Sequence, residues 1–329
     1  MCITKLANNK LKIMGVLNVT PDSFSDGGKY FTPKKAAVHA RTLLDLGADI
    51  LDIGGQSTRP GYIKISAPEE LARVKSVFNL LGTLKEKSKV VSVDTFYPEV
   101  ADFASKSGAK ILNLTFAFSD PKLLQIAKYY NMVCIVNYCG EAGLAKKFFE
   151  SQIKLAKQYK IPDNNLILDP GIGFDKTFLE DFEIIKSPQK FCPEGYRILV
   201  GISRKRVTRV LLNLINLTST DICDIEFKFW ELVNNHREYL GRYFTENLKE
   251  VVVRLEADEV LKEIVELKRY CDSALTEREI LDSDSRDVIT GVLNNISLKS
   301  GADIVRVHNV KITKKILNLL NTRSSTGNS

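Results

Sequence analysis

What this 329-residue chain lacks narrows its class before any motif is read. It has no run of 18 apolar residues, so nothing in it is expected to span a membrane. It has only three histidines, and its cysteines (Cys2, Cys134, Cys139, Cys192, Cys223 and Cys271) form no C-x-x-C pair. A zinc site would need both that spacing and more imidazoles. The N-terminal MCITKLANNK lacks the apolar core of a secretory signal, so the thiols are expected to be free and the location cytoplasmic. Strong charge imbalance is missing too. The net charge is +7, with Lys and Arg spread throughout instead of gathered on one element. Composition leaves a nucleic acid and a small anionic substrate both open. A P-loop is excluded, because Asp175 stands before Lys176 in Gly171–Thr177, where the motif requires glycine. Disorder is excluded as the main state, since 44% apolar residues can offset the entropy of ordering.

What is present is an alternation. Short aliphatic runs predict strands at Lys12–Val16, Asp49–Ile53, Val90–Val93, Lys110–Leu114, Met132–Val136, Leu166–Leu168, Arg197–Val200 and Asp303–Val307. Amphipathic stretches between them predict helices such as Pro33–Leu46, Pro68–Lys87, Tyr97–Ser107, Pro121–Tyr130 and Gly143–Tyr159. Near-continuous apolar strands joined by helices imply a parallel sheet covered on both faces, and eight of them favour a (β/α)8 barrel over an open doubly wound sheet. Gly-Ala-Asp/Lys-Ile precedes three strands (Gly47–Ile50, Gly108–Ile111, Gly301–Ile304), where glycine suits a helix C-cap.

The rhythm breaks once. After Lys205 a loop, a helix and the last strand are due, but Asn216–Leu281 intervenes; without it the chain approaches the roughly 250 residues of a plain barrel. The expectation is one barrel domain over 1–329, with 216–281 a helical insertion between strand 7 and helix 7. Its apolar residues recur at helical spacing and its charge leans acidic, so it is expected to be a self-packed subdomain beside the rim, not a substrate-binding element.

Polar residues cluster where the strands end: Asn18, Gly55–Arg59, Asp94-Thr95, Asn113, Asp169–Gly171, Ser203–Lys205 and Arg306–Asn309. In a barrel those ends share one rim, the position of active sites. Asp94, Asn113 and Asp169 offer acceptors and Lys205 an ammonium, a set suited to a planar amino-pyrimidinone edge. Asn18, Arg306 and His308, from the first and last strands, meet when the barrel closes and read as a phosphate or pyrophosphate site. The loops Thr20–Thr32 and Gln56–Ser66 are placed to close over a substrate.

Six segments carry a family resemblance: IMGVLNVTPDSFSDGG (Ile13–Gly28), GADILDIGGQSTRPG (Gly47–Gly61), SVDT (Ser92–Thr95), LDPGIGFDKT (Leu168–Thr177), GISRK (Gly201–Lys205) and RVHNV (Arg306–Val310). They resemble the dihydropteroate synthases of the folate pathway over about residues 11–320, the insertion excepted. The resemblance implies a (β/α)8 barrel that joins 6-hydroxymethyl-7,8-dihydropterin pyrophosphate to 4-aminobenzoate, in an enzyme targeted by sulfonamides. It implies that Asp94, Asn113, Asp169 and Lys205 hold the pterin and carry the catalysis. It puts Asn18, Arg59, Arg306 and His308 at the pyrophosphate, with Asn18 close to a Mg²⁺ ion. Around the aminobenzoate it sets Phe24, Thr58, Pro60, Ser203 and Arg204. It further implies small-molecule substrates, a homodimer, and neither nucleic acid nor membrane as partner. The chain departs from the family where Gln56 replaces Glu, where Asn113–Ala117 replaces Asn-Asp-Val-Ser-Gly, and where Val136-Asn137-Tyr138 replaces Met-His-Met. Asp175 also replaces Gly, and Asn309 replaces Asp. Leu114 is expected to remove an acceptor beside the pterin slot. Two other readings stay open: a methyltetrahydrofolate methyltransferase, which would have no use for a pyrophosphate clamp, and a non-catalytic binding module acting through the insertion.

Overall fold

The computed structural model describes residues 12–20, 33–56, 62–81, 90–217, 258–276, 279 and 283–326. Eight parallel strands close into a barrel in sequence order: β1 (Lys12–Asn18), β2 (Ile50–Gly54), β3 (Val90–Asp94), β4 (Ile111–Leu114), β5 (Val133–Asn137), β6 (Leu166–Asp169), β7 (Arg197–Val200) and β8 (Ile304–Val307). The helices are α1 (Pro33–Asp45), α2 (Ala67–Leu81), α3 (Pro98–Lys106), α4 (Pro121–Tyr129), α5 (Ala145–Gln158), α6 (Phe178–Lys186), α7 (Arg206–Leu217), α8 (Glu259–Ala274), α9 (Ser285–Lys299) and α10 (Val310–Thr326). This is the expected (β/α)8 architecture. Among the described residues no helix is long and apolar enough to cross a membrane.

The Gly-Ala repeat has a physical cause. Gly47, Gly108 and Gly301 adopt φ of +103°, +105° and +100°, the left-handed turn that ends a helix without Cβ strain. Each following alanine N–H reaches back to the last helical turn, Ala48 to Leu43, Ala109 to Ala104 and Ala302 to Ser297, the bond pattern of a Schellman cap. The chain then enters the next strand at once. Where the repeat carries Asp, the carboxylate caps a neighbouring strand: Asp49 Oδ2 accepts from Ile13 N–H at 3.0 Å, and Asp303 Oδ2 from Ile198 N–H at 2.8 Å.

Alternation along the strands sorts the barrel interior into tiers. Met14, Ile50, Val90, Ile111, Val133, Ile135, Ile167, Leu199 and Ile304 form a buried apolar plug. Two residues further along most of the strands the inward positions turn polar, with Asp52, Ser92, Asn113, Asn137, Asp169 and Arg306. Another step reaches Asn18, Asp94, Thr115 and His308 at the rim. The outward positions pack against the helices in a second, larger cluster.

The insertion behaves differently from the expectation in the part that is described. Its proposed start, Asn216, falls inside α7. Helix α8 buries Leu261, Ile264, Leu267 and Cys271 and packs on α9 and α10, so this portion belongs to the barrel wall. Lys186 of α6 meets Asp258 at 2.5 Å, and Lys299 of α9 meets Glu263 at 3.7 Å. The apolar face of α8 is used on its neighbours, which corrects the picture of a self-packed subdomain for these residues. Helix α9, with eleven of its fifteen residues buried, lies between α6, α7, α8 and α10.

Candidate active site

The polar tier is organised around a carboxylate that the sequence reading did not single out. Asp52 is fully buried, and its Oδ2 accepts from Arg306 Nε at 2.7 Å and from Asn113 Nδ2 at 3.0 Å. The other face of the Arg306 guanidinium reaches Asp94, Nη2 to Oδ2 at 2.9 Å, while Thr115 donates to Asp94 Oδ1 at 2.9 Å. Burial raises the Asp94 carboxyl to about 6, and Asp52 and Asp169 add to the rise against the pull of Arg306. Burial also works against the Arg306 charge, but Asp52 and Asp94 outweigh it and hold the guanidinium pKa above its ordinary value. Arg306 and His308 share the inward face of one strand, as their spacing predicts, but at different depths. Arg306, expected at the pyrophosphate, is paired here with the carboxylates of Asp52 and Asp94.

Across the barrel mouth, the Asp-Pro-Gly-Ile-Gly segment builds the seat of Lys205. Asp169 Oδ1 accepts from Gly171 N–H at 2.8 Å. Gly171 has φ +74°, and a Cβ there would stand 1.7 Å from Tyr138 O, so no other residue fits. Gly173 lies against the Lys205 stem, and its N–H donates to Asp181 Oδ1 at 2.6 Å. Lys205 Nζ donates to Ile172 O and stands 4.5 Å from the centre of the Phe174 ring. Burial pulls the ammonium down to about 8, against Asp169 and Asp181. Asp94, Asn113, Asp169 and Lys205 are thus gathered at one mouth.

At the rim, Ser203 Oγ lies 2.9 Å from His308 Nδ1 and accepts from His308 N–H at 3.3 Å. Arg204, at φ +61°, turns toward Asp287, Nε to Oδ1 at 3.6 Å, and its carbonyl accepts from Arg286 Nη1 at 3.1 Å. Asn18 ends β1 beside Gly54, with its Oδ1 within 3.6 Å of where a Gly54 Cβ would stand. Phe24, Thr58, Arg59 and Pro60 lie outside the described residues.

The departures from the family pattern are absorbed locally. Leu114 faces outward and is fully buried in the helix-facing cluster, so it is no part of the slot, contrary to the expectation. Ala117 and Asp175, where the family carries glycine, keep positive φ of 51° and 49°; for Ala117 that conformation costs about 1–2 kcal/mol, and Asp tolerates it better. Gln56 Oε1 accepts from Ile65 N–H at 2.6 Å, tying the start of the second loop to its end. Asn309 bridges Asp287 and the first turn of α10. Three further residues escaped the sequence reading. Thr115 orients Asp94. Asn137 accepts from the Cys139 thiol at 3.2 Å beside Asp169. Glu70, buried under Gly55, is pushed up by burial to about 7, with Asp94 adding to the rise against Thr95 and Arg73. Strand alternation would have found Asn137, whereas Glu70 has no signal beyond an acidic first turn.

An apolar barrel floor, a tier of buried polar groups and Lys205 at the mouth make this a (β/α)8 barrel with a polar pocket at the end of the strands where enzymes of this fold bind their substrates. Residues 14–225 match the family of pterin binding enzymes. The chain is 39% identical over 211 residues to the dihydropteroate synthase of Clostridium beijerinckii, covering 61% of this chain and 77% of that one. It is 40% identical over 213 residues to that of Bacillus subtilis, covering 62% and 74%. A solved Xanthomonas albilineans dihydropteroate synthase with 4-aminobenzoic acid superposes with a TM-score of 0.67 at 26% identity, covering 96% of this chain and 93% of that one. The chain belongs to the pterin-binding enzyme family, and its relatives there are dihydropteroate synthases.

Proposed function

We infer that this chain is a dihydropteroate synthase, a transferase that joins 6-hydroxymethyl-7,8-dihydropterin pyrophosphate to 4-aminobenzoate. The amine nitrogen forms a bond to the pterin methylene, the C–O bond to pyrophosphate breaks with its electron pair, and the amine loses a proton. The products are 7,8-dihydropteroate and pyrophosphate. The observation that carries this reading is the joint placement of Asp94, Asn113, Asp169 and Lys205 around one mouth above an apolar floor.

Each residue acts through its chemistry. Asn113 and Asp169 present acceptors to the N–H groups of the ring, and Lys205 donates to a ring acceptor. Asp94, as a carboxylate, favours the cationic character that develops at the methylene as the leaving group departs. Arg306 sits below, its charge balancing Asp52 and Asp94. His308 and Asn18 face the pyrophosphate, joined by Arg59, and Ser203, Arg204, Phe24, Thr58 and Pro60 complete the aminobenzoate side. Asn18 offers one amide oxygen, and no cluster of three His, Cys, Asp or Glu side chains suited to a metal occurs among the described residues. That donor set fits Mg²⁺, which takes few protein ligands and relies on phosphate oxygens and water. When bound, the ion would neutralise charge on the pyrophosphate. A homodimer and a cytoplasmic location belong to the same proposal; the free thiols Cys134, Cys139, Cys192 and Cys271 suit a reducing compartment. Incubation with both substrates and chromatography of the product tests the reading: dihydropteroate is expected, and its absence with folded protein would refute it.

A further inference from the structure

We propose that Asp52 is a positioning residue that sets the acceptor polarity of the slot, and with it the preference for a 2-amino-4-oxo ring edge over a 2,4-dioxo edge. The inference rests on the pterin reading of the site and deepens it. The Asn113 amide has two nearly isosteric orientations that differ only in whether the oxygen or the NH₂ faces the ligand. Asp52 decides between them. Its Oδ2 takes the Asn113 Nδ2 donor at 3.0 Å, and turning the amide over would set oxygen against carboxylate oxygen. The carboxylate itself is held by Arg306 Nε on the same oxygen at 2.7 Å, with Arg306 braced against Asp94 at 2.9 Å. Because Asp52 is fully buried, removing its carboxylate leaves the Asn113 donor without its partner in the polar tier.

With Nδ2 committed downward, Asn113 shows Oδ1 to the ligand, two strands from Asp169, which spends only Oδ1 on Gly171 N–H. The slot wall therefore sets two acceptors, on β4 and β6, on either side of Asn137 of β5, whose own oxygen is taken by the Cys139 thiol. A ring edge carrying an exocyclic amine satisfies them, whereas a ring with a second carbonyl in that place sets acceptor against acceptor. A site built for a hydrogen-bond donor rejects the analogue lacking it because its own buried groups go unpaired.

The test is calorimetric titration of 6-hydroxymethylpterin and 6-hydroxymethyllumazine into the wild type, Asp52→Leu and Asp52→Asn. The wild type should prefer the pterin by on the order of 10²-fold or more. Asp52→Leu frees the Asn113 amide and should cut that ratio at least about tenfold. Asp52→Asn should keep it within about threefold, because an NH₂ turned toward Arg306 would meet a donor and the amide oxygen takes that side instead. Loss of affinity for both ligands alike, a folded Leu variant with an undiminished ratio, or an Asn variant that loses the ratio would each overturn the proposal. If Leu is not accommodated, Asp52→Ala takes its place, with the same loss of ratio expected and an undiminished ratio overturning the proposal. A wild type without preference would instead sink the pterin reading itself.

Discussion

Lys205→Met removes the ammonium and keeps the stem that packs on Gly173 and Phe174. A charge-assisted hydrogen bond to the ring is worth about 1.5–3 kcal/mol, so kcat/KM should fall by about 10- to 150-fold. Stability should move the other way. Burial lowers the Lys205 pKa from 10.5 to about 8, so the protonated side chain is disfavoured in the folded state. That penalty is present below pH 8 and fades as pH rises from 8 toward 10.5, so wild-type stability should climb across that window. Its upper bound is about 3 kcal/mol, reduced because the residue is only partly buried. The Met variant should lack the climb and be at least as stable as wild type at pH 7. Denaturant unfolding between pH 7 and 10.5 and steady-state kinetics on the same preparations read both effects. Unchanged kcat/KM, or activity lost in step with a falling Tm, would refute the reasoning.

The pH profile of kcat/KM for the pterin substrate should be bell-shaped, with an acid limb near 6 as Asp94 protonates and an alkaline limb near 8 as Lys205 loses its proton; a flat profile between 5 and 9 would contradict both assignments. His308→Ala should weaken pyrophosphate binding at least about tenfold while leaving bare pterin within about twofold, whereas Arg306→Met should weaken the pterin more, because it leaves Asp52 and Asp94 unbalanced; calorimetry separates the two. Glu70 has a folded pKa raised to about 7, so the stability it contributes is present below pH 4.5 and is lost as pH rises through 7. Glu70→Gln should remove that pH dependence and gain up to about 3 kcal/mol at pH 8 in urea unfolding. Excising 216–281 should expose the surfaces of α9 and α10 that Leu261, Ile264 and Leu267 cover, each worth about 1.5–3 kcal/mol, and yield insoluble or markedly destabilised protein on gel filtration.

All eight strands were legible because barrel strands, buried on both faces, read as short aliphatic runs. Helix α9 was harder to see: with neighbours all round, it has no polar face and no clear amphipathic period. The rim residues Asp94, Asn113, Asp169 and Lys205 stand out as polar groups ending apolar strands. Asp52 does not, since it interrupts Ile50–Gly54 from within and gains its meaning only when β8 closes on β1 and brings Arg306 from 254 positions away. The depth of Arg306 was hidden for the same reason, because sequence gives the face of a strand but not the partner across the barrel. Leu114 could have been read correctly. If Asn113 faces in, its neighbour must face out, and a core residue there is what alternation demands.

The most direct test of the central claim is a single-turnover experiment with the pterin pyrophosphate, 4-aminobenzoate and Mg²⁺, following dihydropteroate and pyrophosphate together. The account predicts one dihydropteroate for each pyrophosphate, and no pyrophosphate release at a comparable rate when aminobenzoate is withheld. Pyrophosphate released without incorporation of the amine, or no turnover by folded protein that binds both substrates, would contradict it.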